Sequence, residues 1–266
     1  MSKVLEIERA DHVARVWLDR PEVRNAFNAE LIAELAAAFL AFAGETELRA
    51  IVLGGRGKAF CAGADLGWMR EMAAYSWEQN RADAGRLAEM LWAIYSCPIP
   101  VVGRIHGDCY AGGVGLAAVC DIIVAAEPAT FCLSEARLGL LPATIGPYVV
   151  RAMGEQAARR YFITAERFSA AEAKGMGFAH EVCASEAIDA AVERIVASLV
   201  ANGPMATRAC KQLVHDVAGR PITAELRADT AARIADIRAS SEGREGVQSF
   251  LQKRKPAWLD DDGTTP

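Results

Sequence analysis

The sequence lacks the features that mark several classes of protein. Its seven cysteines are scattered, odd in number and never spaced as Cys-x-x-Cys, which predicts free thiols in a reducing compartment and no metal site. The apolar run over 114–126 is too short to cross a bilayer and is interrupted by Asp121. The first residues carry early acidic side chains without a long apolar stretch, so we expect no secretory signal. These absences predict a cytoplasmic protein with no membrane partner.

Clustered positive charge is also scarce. The 266 residues carry a formal net charge of -5, and the one basic run that stands out is 253–255. An acidic chain of this kind is a poor candidate for binding nucleic acid. An anionic ligand would instead meet individual arginines, lysines and helix N-termini.

What the chain does contain is a pair of loops made of small residues. Residues 60–66 follow the apolar run 50–53, and residues 111–115 follow the apolar run 100–105. Each loop leads into a segment that can begin a helix. Small residues let a ligand approach the backbone closely. Two backbone N–H groups from two such loops could therefore converge on one oxygen, which is the arrangement of an oxyanion hole.

The order of the patterns predicts an α/β protein. Two strands, over 4–8 and 12–18, precede a helix that Asn28 is expected to cap, and strand, loop and helix then alternate to about 125. This rhythm predicts βαβ units and a largely parallel sheet. After about 151 the pattern becomes helical, with a capping box from Ser169 to Glu172 and a further cap expected at Ser185. We divide the chain into a core domain over 1–200, a C-terminal helical region over 201–258 and a disordered tail over 259–266.

Five motifs, in order and at similar spacing, make the chain resemble the enoyl-CoA hydratase/isomerase (crotonase) superfamily. The first and second signatures are residues 58–66 and 106–116, and the third is residues 134–142. The N-terminal turn of the family is matched by residues 20–27 and its C-terminal helix by residues 245–256. Each motif alone is a weak signal, but together they cover nearly the whole chain.

The resemblance implies a fold, a substrate class and a set of contacts. The implied fold is the ClpP/crotonase-like spiral of ββα units with a C-terminal helical trimerisation region, assembled as a homotrimer or as a hexamer of two trimers. The substrate would be an acyl-CoA thioester, with no separate cofactor and no metal. By position, the N–H groups of Ala64 and Gly112 form the oxyanion hole. The remaining substrate or CoA contacts carry over to Arg24, Ala26, Ala62, Asp65, Leu66, Gly113, Gly115, Phe250 and Trp258.

One position departs from the usual pattern of hydratases in the superfamily. Those enzymes carry two glutamates that hold one water; the second falls on Glu135, whereas the first falls on Gly115, which has no side chain. Glu135 is therefore predicted to move the proton. The water would be held by Glu135 alone, or with a backbone carbonyl or another side chain, for which Asp108 and Tyr110 are candidates.

A finer similarity concerns the acyl group. Residues 112–116 and 137–148 look like a bacterial branch assigned to 3-methylglutaconyl-CoA or isohexenylglutaconyl-CoA hydration, in leucine and acyclic terpene breakdown. Such substrates carry a second carboxylate, which a cation must meet if it is buried. Arg137 and Arg70 are the candidates for that cation.

The sequence thus predicts an enoyl-CoA hydratase, a carbon–oxygen lyase that acts on a 2-enoyl-CoA. A Δ3,Δ2-enoyl-CoA isomerase is the close alternative, because Gly115 removes one carboxylate. A protein that keeps the fold but only binds acyl-CoA or RNA is the third hypothesis. A serine hydrolase is rejected, because Ser134 has no histidine or aspartate in a recognisable activating position.

Overall fold

The computed structural model describes residues 4–259 and shows a repeated strand–strand–helix unit. The strands are β1 (Leu5–Ala10), β2 (Val13–Leu18), β3 (Ala50–Gly55), β4 (Ala59–Cys61), β5 (Val101–Ile105), β6 (Asp108–Tyr110), β7 (Ile122–Ala126), β8 (Thr130–Cys132), β9 (Arg167–Ser169) and β10 (Glu181–Cys183). The helices are α1 (Ala29–Ala43), α2 (Leu66–Met72), α3 (Trp77–Tyr95), α4 (Gly112–Ala118), α5 (Gly146–Met153), α6 (Glu155–Thr164), α7 (Ala170–Gly175), α8 (Ile188–Ala201), α9 (Pro204–Val217), α10 (Ala224–Ala239) and α11 (Ser241–Gln252).

The strands form two sheets, and from β3 to β8 successive strands of the chain alternate between them. One sheet has the order β1-β2-β3-β5-β7-β10, and the other has the order β4-β6-β8-β9. Pairing is parallel except for β1 with β2 and β8 with β9. The predicted spiral of ββα units is confirmed. The pairs β3–β4, β5–β6 and β7–β8 each place one strand in each sheet before the next helix, whereas β1 and β2 both lie in the first sheet.

Two apolar layers hold these sheets and helices together. The larger one includes buried phenylalanines of α1 and aliphatic side chains of α3, β3 and β5. The smaller one packs valines of the first sheet, such as Val52 and Val102, against Val192 and Val196 of α8. The first sheet is therefore covered on both faces, as its continuous apolar strands require.

Helix ends follow the predicted caps at two of three positions. The Asn28 side chain accepts a hydrogen bond from the Leu31 N–H at the start of α1, and Ser169 and Glu172 form the capping box of α7. The prediction for Ser185 is wrong. Ser185 is the first residue of a 3₁₀ turn, so its backbone is already helical, whereas an N-cap needs a non-helical backbone.

The C-terminal helices differ from the core in how little they bury. Leu226 is the one buried residue of α10, Ser249 is the one buried residue of α11, and α9 buries no residue. Leu259, placed in the predicted tail, belongs to a 3₁₀ turn; residues 260–266 lie outside the described residues. Between residues 4 and 259, no helix combines the length and apolar character needed to cross a membrane.

Candidate functional site

The three predicted catalytic residues follow three neighbouring parallel strands. In the second sheet β4 pairs with β6, and β6 pairs with β8. Ala64, Gly112 and Glu135 each come two or three residues after the last residue of one of these strands. Carboxyl ends of parallel strands lie at the same edge of a sheet, which is where α/β proteins commonly bind ligands. The topology therefore brings these three residues to one edge.

Direct packing of the two small-residue loops fixes their distance. A Cβ built on Gly63 would lie 2.9 Å from the Ala111 Cβ and 3.8 Å from the Gly112 nitrogen. A Cβ on Gly113 would lie 2.4 Å from the Cys61 carbonyl oxygen, and one on Gly112 would lie 2.9 Å from the Phe27 ring. The glycines are thus required for contact between protein segments, a reason that the sequence alone did not reveal.

The Ala64 N–H is turned away from the protein segment beside it. Phe27 forms a parallel bridge with Ala64, in which the Phe27 N–H donates to the Gly63 carbonyl and the Asp65 N–H donates to the Phe27 carbonyl. In extended backbone, successive N–H groups point to opposite sides. The Ala64 N–H therefore points away from Phe27.

The Gly112 N–H is freed by its position in α4. As the first residue of the helix, Gly112 has no carbonyl within the helix to which its N–H can donate. The preceding residue, Ala111, has φ 48° and ψ -120°, and its N–H donates to the Cys132 carbonyl at 2.7 Å. A non-glycine residue in this conformation is strained, and such strain occurs most often at functional sites.

The N-terminal turn is attached to the first loop, as the predicted CoA contacts require. The Ala62 N–H donates to the Arg24 carbonyl at 3.0 Å. Arg20 Nη1 donates to the carbonyl of Ala26, which is buried, and Arg20 Nη2 lies 3.0 Å from Asp65 Oδ2. The N-terminal turn, residues 20–27, and the first loop, residues 60–66, are thus joined by hydrogen bonds and one ion pair. Together they form one surface beside the proposed site, the rim.

Within this rim, Asp65 has a bracing role. Its Oδ1 accepts hydrogen bonds from the N–H groups of Gly67 and Trp68 at the start of α2, while its Oδ2 binds Arg20. Both carboxylate oxygens are thus occupied by protein groups. Leu66 beside it is 71% exposed, and the Arg24 side chain is 67% exposed.

A polar cluster on β6 and β8 lies beside Arg24. The Tyr110 hydroxyl donates to Asp108 Oδ1 at 3.0 Å, and the Thr130 hydroxyl donates to the same oxygen at 2.8 Å. Arg24 Nη1 lies 3.9 Å from Asp108 Oδ2. Arg167, for which no sequence motif predicts a role, covers the Tyr110 ring at 5.4 Å. These contacts favour a structural role for Asp108 and Tyr110 and leave two exposed guanidinium groups near the rim.

Glu135 begins a 3₁₀ turn three residues after the end of β8. The residue is half-buried, and its Oε2 is buried without a hydrogen-bond partner among residues 4–259. Burial raises the pKa of this carboxyl, and the hydrogen bond from its own backbone N–H lowers the pKa by a smaller amount. A buried polar atom without a partner is rare and calls for a functional explanation. A partner that arrives with the substrate would supply it.

Of the remaining predicted contacts, two are buried and two lie in the C-terminal region. Gly113 and Gly115 are buried on α4. Phe250 lies in α11 and is 82% exposed, while the Trp258 indole N–H donates to the Ala201 carbonyl at 3.2 Å. Contact of these two aromatic residues with a neighbouring subunit's ligand stays a prediction.

A cleft of about 460 Å³ lies between β2, β5 and α8. The arginines in its lining are paired, Arg15 with Glu193 at 2.8 Å, Arg56 with Glu6 at 2.7 Å and Arg104 with Asp189 at 2.6 Å. We therefore assign no ligand to it. Over the described range 4–259, no group of three or more histidine, cysteine or acidic residues could hold a metal ion.

Comparison with known proteins shows which family the chain is similar to. A family model described as enoyl-CoA hydratase/isomerase matches residues 8–261. The enoyl-CoA hydratase ACTT6 of Alternaria alternata is 36% identical over 258 residues, which cover 95% of this chain and 83% of that protein. A solved enoyl-CoA hydratase structure from Shewanella pealeana has a TM-score of 0.93 and 39% identity, with 96% of each chain covered. One from Mycobacterium smegmatis has a TM-score of 0.92 and 35% identity, with 97% of this chain and 100% of that chain covered.

Proposed function

Because the chain belongs to the enoyl-CoA hydratase/isomerase family, we propose that it is an enoyl-CoA hydratase that adds water across the 2,3 double bond of a 2-enoyl-CoA thioester. The observation that carries the proposal is the meeting of two small-residue loops and one glutamate at the carboxyl ends of β4, β6 and β8. The loops supply N–H donors, and the glutamate supplies an acid–base group. Thioester hydration needs both.

Each component of the proposed site has one role in the reaction. The thioester oxygen accepts hydrogen bonds from the N–H groups of Ala64 and Gly112. Glu135 takes a proton from water as the water oxygen bonds to C3, and the electron pair of the double bond moves toward the thioester oxygen as an enolate. The two N–H donors stabilise that charge, and loss of one such donor typically costs about 10²–10³ in rate. Glu135 then returns the proton to C2, which regenerates the carboxylate and leaves a 3-hydroxyacyl-CoA.

CoA recognition is proposed for the rim formed by the N-terminal turn and the first loop. The exposed guanidinium of Arg24 would meet CoA phosphates, and the backbone of Ala26, Ala62 and Leu66 would contact the rest of CoA. Arg167 would add a second positive charge near the same surface. In an acidic chain, such local cations are needed to attract an anionic ligand.

A branched glutaconyl-CoA is the proposed substrate class, on the strength of the similarity over 137–148. Arg137 lies on the same 3₁₀ turn as Glu135, and its Nη2 donates to the Ala165 carbonyl at 2.5 Å. That contact holds the guanidinium while its other N–H groups can bind a second carboxylate. Arg70 is exposed on α2 and is the weaker candidate.

A Δ3,Δ2-enoyl-CoA isomerase is the second candidate, favoured by the single carboxylate. Glu135 would take a proton from C2 of a 3-enoyl-CoA and return it to C4 as the double bond moves to the 2,3 position. This reaction uses the same enolate and the same N–H donors but requires no water.

Product analysis in ¹⁸O-labelled water distinguishes the two reactions. Crotonyl-CoA, 3-methylglutaconyl-CoA and a 3-enoyl-CoA are offered separately, and the acyl-CoA products are identified by mass spectrometry. A 3-hydroxyacyl-CoA that carries heavy oxygen is the expected result, fastest from the glutaconyl ester. A shifted double bond without added oxygen would instead assign the isomerase reaction, and conversion of none of the three esters would contradict both.

A further inference from the structure

The position of the usual first glutamate is closed by another side chain. A Cβ built on Gly115 of α4 would lie 2.1 Å from Ile145 Cγ2 and 2.5 Å from Ile145 Cβ. Both distances are far shorter than any real contact between carbon atoms. Ile145 is 2% exposed and is the last residue before α5, whose N-terminus packs on α4. The direction in which a side chain would leave residue 115 is therefore filled by Ile145.

Ile145 cannot easily turn aside. It is β-branched, and its χ1 angle is therefore strongly restricted. Because it is buried, another rotamer would collide with a close-packed interior. The obstacle includes its Cβ atom, which no rotamer change can move.

The contact at Gly115 differs from that at Gly113, which lies in the same helix. At Gly113, an added Cβ would meet the backbone of Cys61, which no substitution can remove. At Gly115 the obstacle is a single side chain from a segment 30 residues further along the chain. Residues 115 and 145 are thus matched in size, and one could be enlarged only if the other were reduced.

We propose that Gly115 and Ile145 form a size-matched pair that keeps a second carboxylate out of the active site, so that Glu135 is its only acid–base side chain. The inference rests on the proposed function for its catalytic meaning. Ile145 thereby becomes a specificity-determining residue, because it decides whether the site holds one carboxylate or two. The same carboxyl then both removes and returns the proton during turnover.

Thermal unfolding without substrate tests the size match. The test variants are Gly115→Ala, Ile145→Gly and the double variant that combines them. The matched controls are Gly113→Ala alone and Gly113→Ala combined with Ile145→Gly. We expect Gly115→Ala to lower Tm by about 4 °C or more in the wild-type background and to have little or no effect beside Ile145→Gly. Gly113→Ala should lower Tm equally in both backgrounds. Ile145→Ala should give little relief, because it keeps the Cβ.

Equal effects of Gly115→Ala in the two backgrounds would overturn the size match. So would a Gly115→Ala protein as stable as the wild type. Neither result depends on which reaction the protein catalyses, because no substrate is present. Failure of the size match is thus separable from failure of the proposed function.

Measurement of the hydration rate tests whether the Gly115–Ile145 pair decides how many carboxylates can act in the site. In a Glu135→Gln background, Gly115→Glu together with Ile145→Gly should raise hydration at least about tenfold over Glu135→Gln with Ile145→Gly alone. Gly115→Glu with Ile145 intact should give no such rise. An equal rise with Ile145 intact would overturn the proposal, as would no rise in a folded triple variant. Full turnover by Glu135→Gln itself would instead contradict the proposed role of Glu135.

Discussion

At the scale of single residues, the titration of Glu135 connects structure with chemistry. Burial disfavours the charged form, so the pKa of the carboxyl lies above its ordinary value. The proposed reaction begins from the carboxylate. Activity should therefore fall as the pH drops through this raised pKa, at a higher pH than an exposed glutamate would produce.

Replacement of Glu135 by glutamine should remove turnover and its pH dependence. We expect kcat to fall by about 10²–10⁴, since a positioned acid–base group commonly contributes that much. Rates over a pH series check this result. Glu186→Gln is the matched control, because Glu186 is an exposed glutamate in another 3₁₀ turn. A Glu135→Gln enzyme with an unchanged rate and pH profile would contradict the assignment.

The same substitution should stabilise the fold at neutral pH. A carboxyl whose pKa is raised on folding stabilises the protein below its unfolded pKa, and that contribution is lost as the pH rises through the folded pKa. At a pH above that range the buried charge destabilises the fold, and glutamine carries no such charge. Thermal unfolding should give a higher Tm for Glu135→Gln than for wild type at neutral pH, with the gap shrinking in acid. A lower Tm across the series would show that the carboxylate is stabilised by partners.

The sequence predicts the places of the proposed catalytic residues better than it predicts their surroundings. Ala64, Gly112 and Glu135 are predicted from their places in short motifs that resemble those of the family, and their catalytic roles stay a prediction. The contact between Gly115 and Ile145 joins segments 30 residues apart, so no local pattern signals it. The burial of Glu135 Oε2 is likewise a tertiary property.

At the scale of elements, two basic side chains of α9 attach the C-terminal helices to the core. Arg208 Nη2 donates to the carbonyls of Glu45, Thr46 and Leu48 at 2.5–3.2 Å. Lys211 Nζ lies 2.6 Å from Asp121 Oδ2, which also accepts the Val101 N–H. The Lys211 side chain is 7% exposed, so its ion pair is shielded from water.

Replacement of Lys211 by methionine should destabilise the protein strongly. It leaves the largely buried Asp121 carboxylate without its cation, and loss of one partner from a buried pair typically costs about 3–5 kcal/mol. Denaturant unfolding measures the change. Arg159→Met is the control, because the Arg159–Glu155 pair is exposed on α6 and should contribute almost nothing. Equal effects of the two substitutions would show that burial does not strengthen the Lys211 pair.

Elements with a strong local signal were predicted, and those defined by tertiary pairing were missed. Asn28 and Ser169 cap helices as their side-chain chemistry requires. The three-residue strands β9 and β10 lie in a stretch interpreted as helical. β9 forms by pairing with β8, and β10 forms by pairing with β7. A run of three residues does not reveal such a pairing. Ser185 is not a cap, because the 3₁₀ turn begins at Ser185 itself and not at the residue after it.

At the scale of the whole molecule, the C-terminal helices expose apolar side chains that an isolated chain would leave in water. On α11, Val247, Phe250 and Leu251 are 57%, 82% and 72% exposed. Their i, i+3, i+4 spacing places them on one face of the helix. An exposed apolar face of this kind indicates a surface that another protein covers. We propose that copies of this chain cover it, in the trimer or hexamer implied by the family resemblance.

Charged substitutions on this face should dissociate the assembly. Light scattering of the wild-type protein should give a mass about three or six times the 28.5 kDa of one chain. Val247→Asp with Leu251→Asp should reduce the mass to that of one chain, because two carboxylates would have to be buried without partners. Gln252→Asp is the control, since residue 252 lies on another side of α11 and should leave the mass unchanged. A wild-type protein with the mass of one chain at micromolar concentration would contradict self-association, and a double variant with unchanged mass would place the interface on another surface.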